Sequence, residues 1–270
     1  MDGVGEPELL MDQSASPHGY SLRPSQVRSL NDADLIVWVG EGLETFLAKP
    51  LSQSKENVTV LELMEIKGIE LHENRSSGRW EDAHDEHEEH ENHDEHAEHD
   101  EHANHEEHAE HDEHDEGHAH EEDHDHDHGK YDPHLWLSID NARVIVQRVG
   151  DELTNIDPAN GEIYAENVVT TLASLGVLKQ DLKAQLSTVK TAPYLVFHDA
   201  YQYFEKEFST HAVGAVTIDA ERKPGARRLT ELRNVVRKKQ ALCIFSEPQF
   251  KPAIVDVLAE NLPIRIGELD

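Results

Sequence analysis

The chain has 270 residues, 37% of them apolar, and a formal net charge of −32. That length supports two modest domains with a real core, and the charge is local: 24 of the 56 acidic residues lie between Glu81 and His128, where no Lys or Arg occurs, leaving 32 acids against 24 bases elsewhere, a net of −8. A mildly acidic chain with no basic stripe to neutralise phosphates excludes nucleic acid as a partner, and no apolar run is long enough to span a bilayer.

The opening residues, MDGVGEPELLMDQ, are turn chemistry with Gly3, Gly5 and Pro7, and the closing LPIRIGELD stops just after a strand-like run. We expect the chain to be a fragment that lacks a first strand of its first lobe, so the lack of a visible signal sequence says little about compartment. In YSLRPSQVRSLNDADLIVWVG, Ser25 is the predicted cap of a short helix through Leu30. LIVWVG is a predicted buried parallel strand. EGLETFLAKPLSQ carries Leu43, Phe46 and Leu47 on one helical face, and VTVLELM is a second strand. Strand, helix, strand predicts an α/β lobe.

From about 80 to 130 the composition changes. Sixteen histidines stand among Asp, Glu and small residues: His84, His87, His90, His93, His96, His99, His102, His105, His108, His111, His114, His118, His120, His124, His126 and His128. With no aliphatic residue but alanine, this segment cannot bury enough surface to offset its ordering entropy, and we expect a disordered, low-complexity insertion. Imidazole and carboxylate are both zinc ligands. Spacing of three places successive histidines about 300° apart on an α-helix, or in line on a polyproline-like chain of about three residues per turn. Either way many equivalent two- or three-histidine sites exist, so several ions should bind loosely and interchangeably. HEEDH at His120–His124 matches the H-E-x-x-H pattern of zinc proteases, but it lacks the apolar helix face that pattern needs and reads as chance.

After the insertion, Ser138 or Asp140 can cap a helix carrying Ala142, Ile145, Val146 and Val149. Ile163, Val168, Leu172, Leu175, Leu178, Leu182 and Leu186 recur at helical spacing. They predict one long helix from about 161 to 189, roughly 40 Å, suited to connect two lobes. APYLVFHDA, AVGAVTID, ALCIFSEPQF and PIRIGEL then read as strands. Between them lie an amphipathic YQYFEKEF, a basic-faced GARRLTELRNVVRKKQ and a helical KPAIVDVLAEN. The alternation predicts a second α/β lobe, both lobes having mainly parallel sheets. The expected organisation is residues 1–139 as the first lobe with the insertion at about 80–130, 140–189 as helices including the connector, and 190–270 as the second lobe.

Five histidines lie outside the insertion: His18, His72, His134, His198 and His211. His18 sits in the turn SASPHGY, His134 follows a proline in YDPHLWLS, and His198 ends the apolar strand of LVFHDAYQYF. In open α/β sheets ligands bind at the carboxyl ends of strands, and three imidazoles from separate loops suit a borderline metal such as Zn²⁺. Each alone also reads as an isolated or internally satisfied histidine, and His72 and His211 keep that reading. Cys243, the single cysteine, is either a small buried hydrophobe or half of a disulfide. There is no G-x-S-x-G elbow, Walker loop or G-x-G-x-x-G after a strand, so we expect no enzyme.

Taken in order, EPELLMDQSASPHGYSLRPSQVRSLNDADLIVWVGEGLE, DPHLWLS, VFHDAYQYFEKEF, TIDAERKPGARRLTELR, FSEPQF and GELD resemble the ZnuA-type zinc-binding proteins, the periplasmic substrate-binding components of ABC zinc importers. The resemblance implies Rossmann-like α/β lobes joined by one long rigid helix, with the metal in the cleft between them. It implies His18, His134 and His198 as ligands, and Asp270, from the family's terminal motif, as a fourth contact. Pro17 stands where some zinc-specific members have a Glu, and a water can fill the fourth position instead. It also implies that Cys243 pairs with a cysteine beyond Asp270. The implied function is capture of Zn²⁺ in the periplasm by a monomer and delivery to a membrane permease, with release by small loop shifts on docking. Three neutral histidines favour zinc over manganese, and affinity should fall as pH drops through the histidine range. The insertion would be a weak zinc reservoir that raises local concentration. Two other readings stand: a manganese- or iron-binding member of the same cluster, and a histidine-rich metal buffer or chaperone without a transport role.

Overall fold

The computed structural model describes residues 1–12, 15–55, 57–75, 129–217, 224–250 and 253–269. The first helix, α1 (Pro24–Asp32), starts on a proline whose fixed φ suits the first helical position. Ser25 is therefore inside the helix, and the turn is closed instead by the Arg23 N–H donating to Gln26 Oε1 at 2.8 Å. β1 (Leu35–Trp38) follows, then α2 (Thr45–Ser52) and β2 (Thr59–Glu62). Leu43 is buried as expected, yet it lies in the turn before α2, its N–H donating to Gly40 O at 3.0 Å.

β1 and β2 pair in parallel, from Leu35 opposite Thr59 to Trp38 opposite Glu62. Ile36 and Trp38 pack with Leu30, Leu47 and Val58, whereas Val37 between them is 43% exposed. β1 is thus buried on one face, not two. An unbroken apolar run does not reveal that difference, because strand side chains alternate faces whatever their chemistry. A second cluster joins Val39, Leu43, Leu61, Leu63, Leu135 and Tyr203.

Ser138 Oγ accepts from the Asn141 N–H at 3.2 Å and caps α3 (Ile139–Ile156). Asn141 is 2% exposed; its amide accepts from Glu70 N–H at 2.9 Å and donates to Glu70 O and Leu135 O, tying α3 to the chain that follows β2. Asp157 turns the chain back by accepting from Asn160 Nδ2 and the Tyr164 hydroxyl. α4 (Gly161–Leu186) is the long helix, 26 residues and so about 39 Å. It stops three residues before the expected end. Ser187–Val189 leave the helix in tight turns, as a Ser-Thr pair readily does.

The second sheet has the order β4-β3-β5-β6, every pair parallel. Its strands are β3 (Pro193–His198), β4 (His211–Thr217), β5 (Cys243–Ser246) and β6 (Arg265–Glu268). Leu195 and Ile244 are fully buried under α6 (Ala226–Lys239) and α7 (Ala253–Ala259). α5 (Gln202–Phe208), expected to be amphipathic, buries Tyr203 and Phe208 but also Gln202 and Glu205. Its polar residues face inward because they have partners there. Cys243 is half-buried at the start of β5. Among the described residues no helix is long and apolar enough to cross a membrane.

Candidate metal centre

Three elements bring one histidine each to a common point. His18 sits in the short 3-10 turn Pro17–Gly19, which Ser16 opens by accepting the His18 N–H on Oγ at 3.3 Å. His134 precedes the turn Leu135–Leu137 that leads into α3, and His198 is the last residue of β3. The ring centroids are 5.4 Å apart for His18 and His134, 5.7 Å for His18 and His198, and 5.3 Å for His134 and His198. One ring nitrogen from each can be chosen so that all three lie within 4.8 Å of one another, a group that can hold a metal ion. Zinc–nitrogen bonds of about 2.0–2.1 Å need each to move inward by no more than about 1 Å.

Two of the rings are held by carboxylates. Asp132 Oδ1 lies 2.8 Å from His134 Nδ1 and also accepts the His134 N–H at 3.0 Å. Glu247 lies 2.6 Å and 2.8 Å from His198 Nδ1 through its two oxygens. An ionised carboxylate only accepts, so each Nδ1 carries the proton and each Nε2 presents its lone pair. This is the carboxylate–histidine–metal arrangement that fixes the tautomer and raises ligand basicity. His134 and His198 are 7% and 8% exposed, while His18 is half-buried, so the open side of the cluster is at His18.

The carboxylates are anchored in turn. The Asp132 N–H donates to His72 O at 2.8 Å, and Asp132 O accepts from the Tyr203 hydroxyl at 2.7 Å. Burial pushes that hydroxyl up to about 12. Glu247 follows β5 directly, and β5 neighbours β3, so their carboxyl ends lie side by side.

His18, His134 and His198, expected from sequence, are brought together. His72 is not in the group: it stacks on Tyr203 with centroids 4.6 Å apart, and burial lowers its pKa. His211 is exposed at the start of β4. Asp270 and the sixteen insertion histidines lie outside the described residues. Asp132 and Glu247 are the functional residues that sequence reasoning missed. Their signals were a carboxylate two residues before His134 and an acid just past the end of a strand.

Comparison with known proteins adds the family. The family model described as "Zinc-uptake complex component A periplasmic" matches residues 1–270. The high-affinity zinc uptake system protein ZnuA of Brucella abortus (strain 2308) is 41% identical over 270 residues, covering all of this chain and 78% of that protein. Its Yersinia pestis counterpart is 36% identical over 269 residues, covering 100% and 77%. Among solved structures, a crystal structure of ZnuA superimposes with a TM-score of 0.70 at 21% identity over 97% of this chain and 81% of that one. The periplasmic zinc binding protein TroA from Treponema pallidum gives 0.68 at 18% identity over 96% and 78%. An α/β fold whose sheets among the described residues are parallel, with a long helix, a histidine triad able to hold a metal, and relatives matched along the whole chain place this protein in the ZnuA family of periplasmic zinc-uptake components.

Proposed function

We propose that this chain captures Zn²⁺ in the periplasm through His18, His134 and His198 and delivers it to an ABC-type permease. The observation that carries the reading is the pair of buried carboxylates, Asp132 and Glu247, each tied to the Nδ1 of one imidazole so that both Nε2 atoms are offered to the same ion. Three nitrogen donors favour zinc; manganese prefers more oxygen. The protein does no bond chemistry on this reading. It binds the ion and releases it to its partner, acting as a monomer. The organisation that goes with it is a first lobe over 1–139, helices over 140–189 and a second lobe over 190–270. The histidine-rich insertion is a weak, interchangeable store, a reading supported by its composition.

Calorimetric titration tests this. The whole chain should show one tight class of zinc site and a second, weak class. His134→Ala combined with His198→Ala should abolish the tight class and leave the weak one. Tight manganese binding that zinc does not displace would overturn the zinc reading in favour of a manganese or iron binder. Loss of tight binding with the insertion, but not with the two substitutions, would leave only a histidine-rich buffer.

A further inference from the structure

Asp132 gives one carboxylate oxygen to His134: Oδ1 accepts the His134 N–H at 3.0 Å and faces His134 Nδ1 at 2.8 Å. That leaves Oδ2, on a side chain only 3% exposed. A buried carboxylate oxygen without a donor is costly. The χ2 torsion of aspartate is broad, so nothing within the residue fixes the plane of the carboxylate. Gln202 supplies the outside restraint. Its Nε2 donates to Asp132 Oδ2 at 3.3 Å and to Glu73 O at 3.1 Å. A carbonyl and an ionised carboxylate only accept, so the nitrogen of the amide faces both, and its two hydrogens are both used. Gln202 is 4% exposed, the first residue of α5 and four residues after His198. The same helix holds this region at Tyr203 and Glu205 as well. The Tyr203 hydroxyl donates to Asp132 O and accepts the His72 N–H at 3.1 Å. Arg75 Nη2 donates to Glu205 Oε2, and its Nη1 donates at 2.9 Å to Oδ1 of Asp199, the residue after His198. Gln202 differs from these in touching the Asp132 carboxylate itself.

We propose that Gln202 is a positioning residue for zinc capture: its amide locks the plane of the Asp132 carboxylate and, through it, the tautomer and direction of the His134 ring. The proposal rests on the reading of His134 as a ligand. A neutral amide suits the task. It satisfies Oδ2 while leaving the negative charge of the carboxylate to hold the Nδ1 proton, which a lysine or arginine at this place would neutralise. An apolar side chain would free the carboxylate to turn, and His134 would lose part of the fixed orientation that brings Nε2 to the ion. Gln202 touches no ion. It acts through Asp132, so a helix that begins four residues after one histidine of the centre sets the direction of another.

Two substitutions test this. Gln202→Met keeps the length of the side chain and removes the donor. Gln202→Asn keeps the amide but draws it back by one methylene, and it carries the test should Gln202→Met fail to fold. Zinc affinity is measured by competition with a chromophoric chelator, and exchange of the His134 Nδ1 proton with water is followed by ¹H–¹⁵N NMR of the zinc-loaded protein. Each substitution should weaken the tight zinc site by about 3- to 10-fold, the effect of one hydrogen bond, and should speed the proton exchange. In an Asp132→Asn background neither should weaken binding further, because the charge that Gln202 positions is gone. Unchanged affinity and proton exchange in a folded variant overturns the proposal. So does a loss of equal size in both backgrounds, which marks a residue that only stabilises the fold. Failure of the ligand reading looks different: tight zinc binding would survive His134→Ala in the otherwise unaltered protein.

Discussion

At the scale of single residues, the centre depends on atoms that never touch the ion. Asp132→Asn and Glu247→Gln keep size and most hydrogen-bonding shape but remove the charge that holds the Nδ1 proton. Each should weaken zinc binding by about 10- to 100-fold, measured against a chromophoric chelator, while His211→Ala should leave it unchanged. The three histidines could be read from sequence because each stands in a setting that exposes a side chain at a chain reversal or strand end. The carboxylates could not. With 56 acidic residues in the chain, no single acid is informative until its neighbours in space are known. Glu247 is 49 positions from His198, and Arg75 is 124 positions from Asp199.

At the scale of elements, helical spacing located α4 to within three residues of its end, because a repeating apolar stripe is a local property. It did not reveal how closely α3 and α4 approach. Gly150 on α3 is buried, and a Cβ built there would lie 2.3 Å from Val168 Cγ2 on α4. Val168 is β-branched and stiff about χ1, so it cannot swing away cheaply. Alanine would gain about 1 kcal/mol of helix propensity, against an overpacking cost of about 1–3 kcal/mol. Gly150→Ala should therefore be neutral to destabilising by about 2 kcal/mol. Adding Val168→Ala, which clears the space, should convert the same change to a net gain relative to Val168→Ala alone. Urea denaturation of the four proteins in the cycle checks this. A similar lesson applies to β1, whose apolar run suggested burial on both faces while Val37 stands exposed.

At the scale of the whole molecule, the expectation is that tight zinc binding does not need the insertion. The described residues on its two sides are joined by backbone bonds: the Asn74 N–H donates to Lys130 O at 2.8 Å, the Asp132 N–H donates to His72 O at 2.8 Å, and Glu73 bridges Tyr131. Those bonds tie Asp132 to residues on both sides of positions 81–128. Deleting 81–128 and joining the ends with a short Gly-Ser link should leave the tight zinc site within about threefold of its original affinity, since its ligands and their carboxylates all remain. The deletion should remove the weak class of sites and change the net charge from −32 to −8. Calorimetry with the two proteins side by side reads both effects.

The sequence alone determined the α/β alternation, the long helix, the composition of the insertion and the three histidines, because periodicity, turn chemistry and residue type are carried by neighbours along the chain. The tertiary structure alone decided which two of many acids orient the imidazoles, that β1 is covered on one face, and that Gln202 reaches the carboxylate beside His134. Those features are contacts between distant segments. They exist only once parallel strands place their carboxyl ends side by side, and no local pattern encodes which partners will meet there.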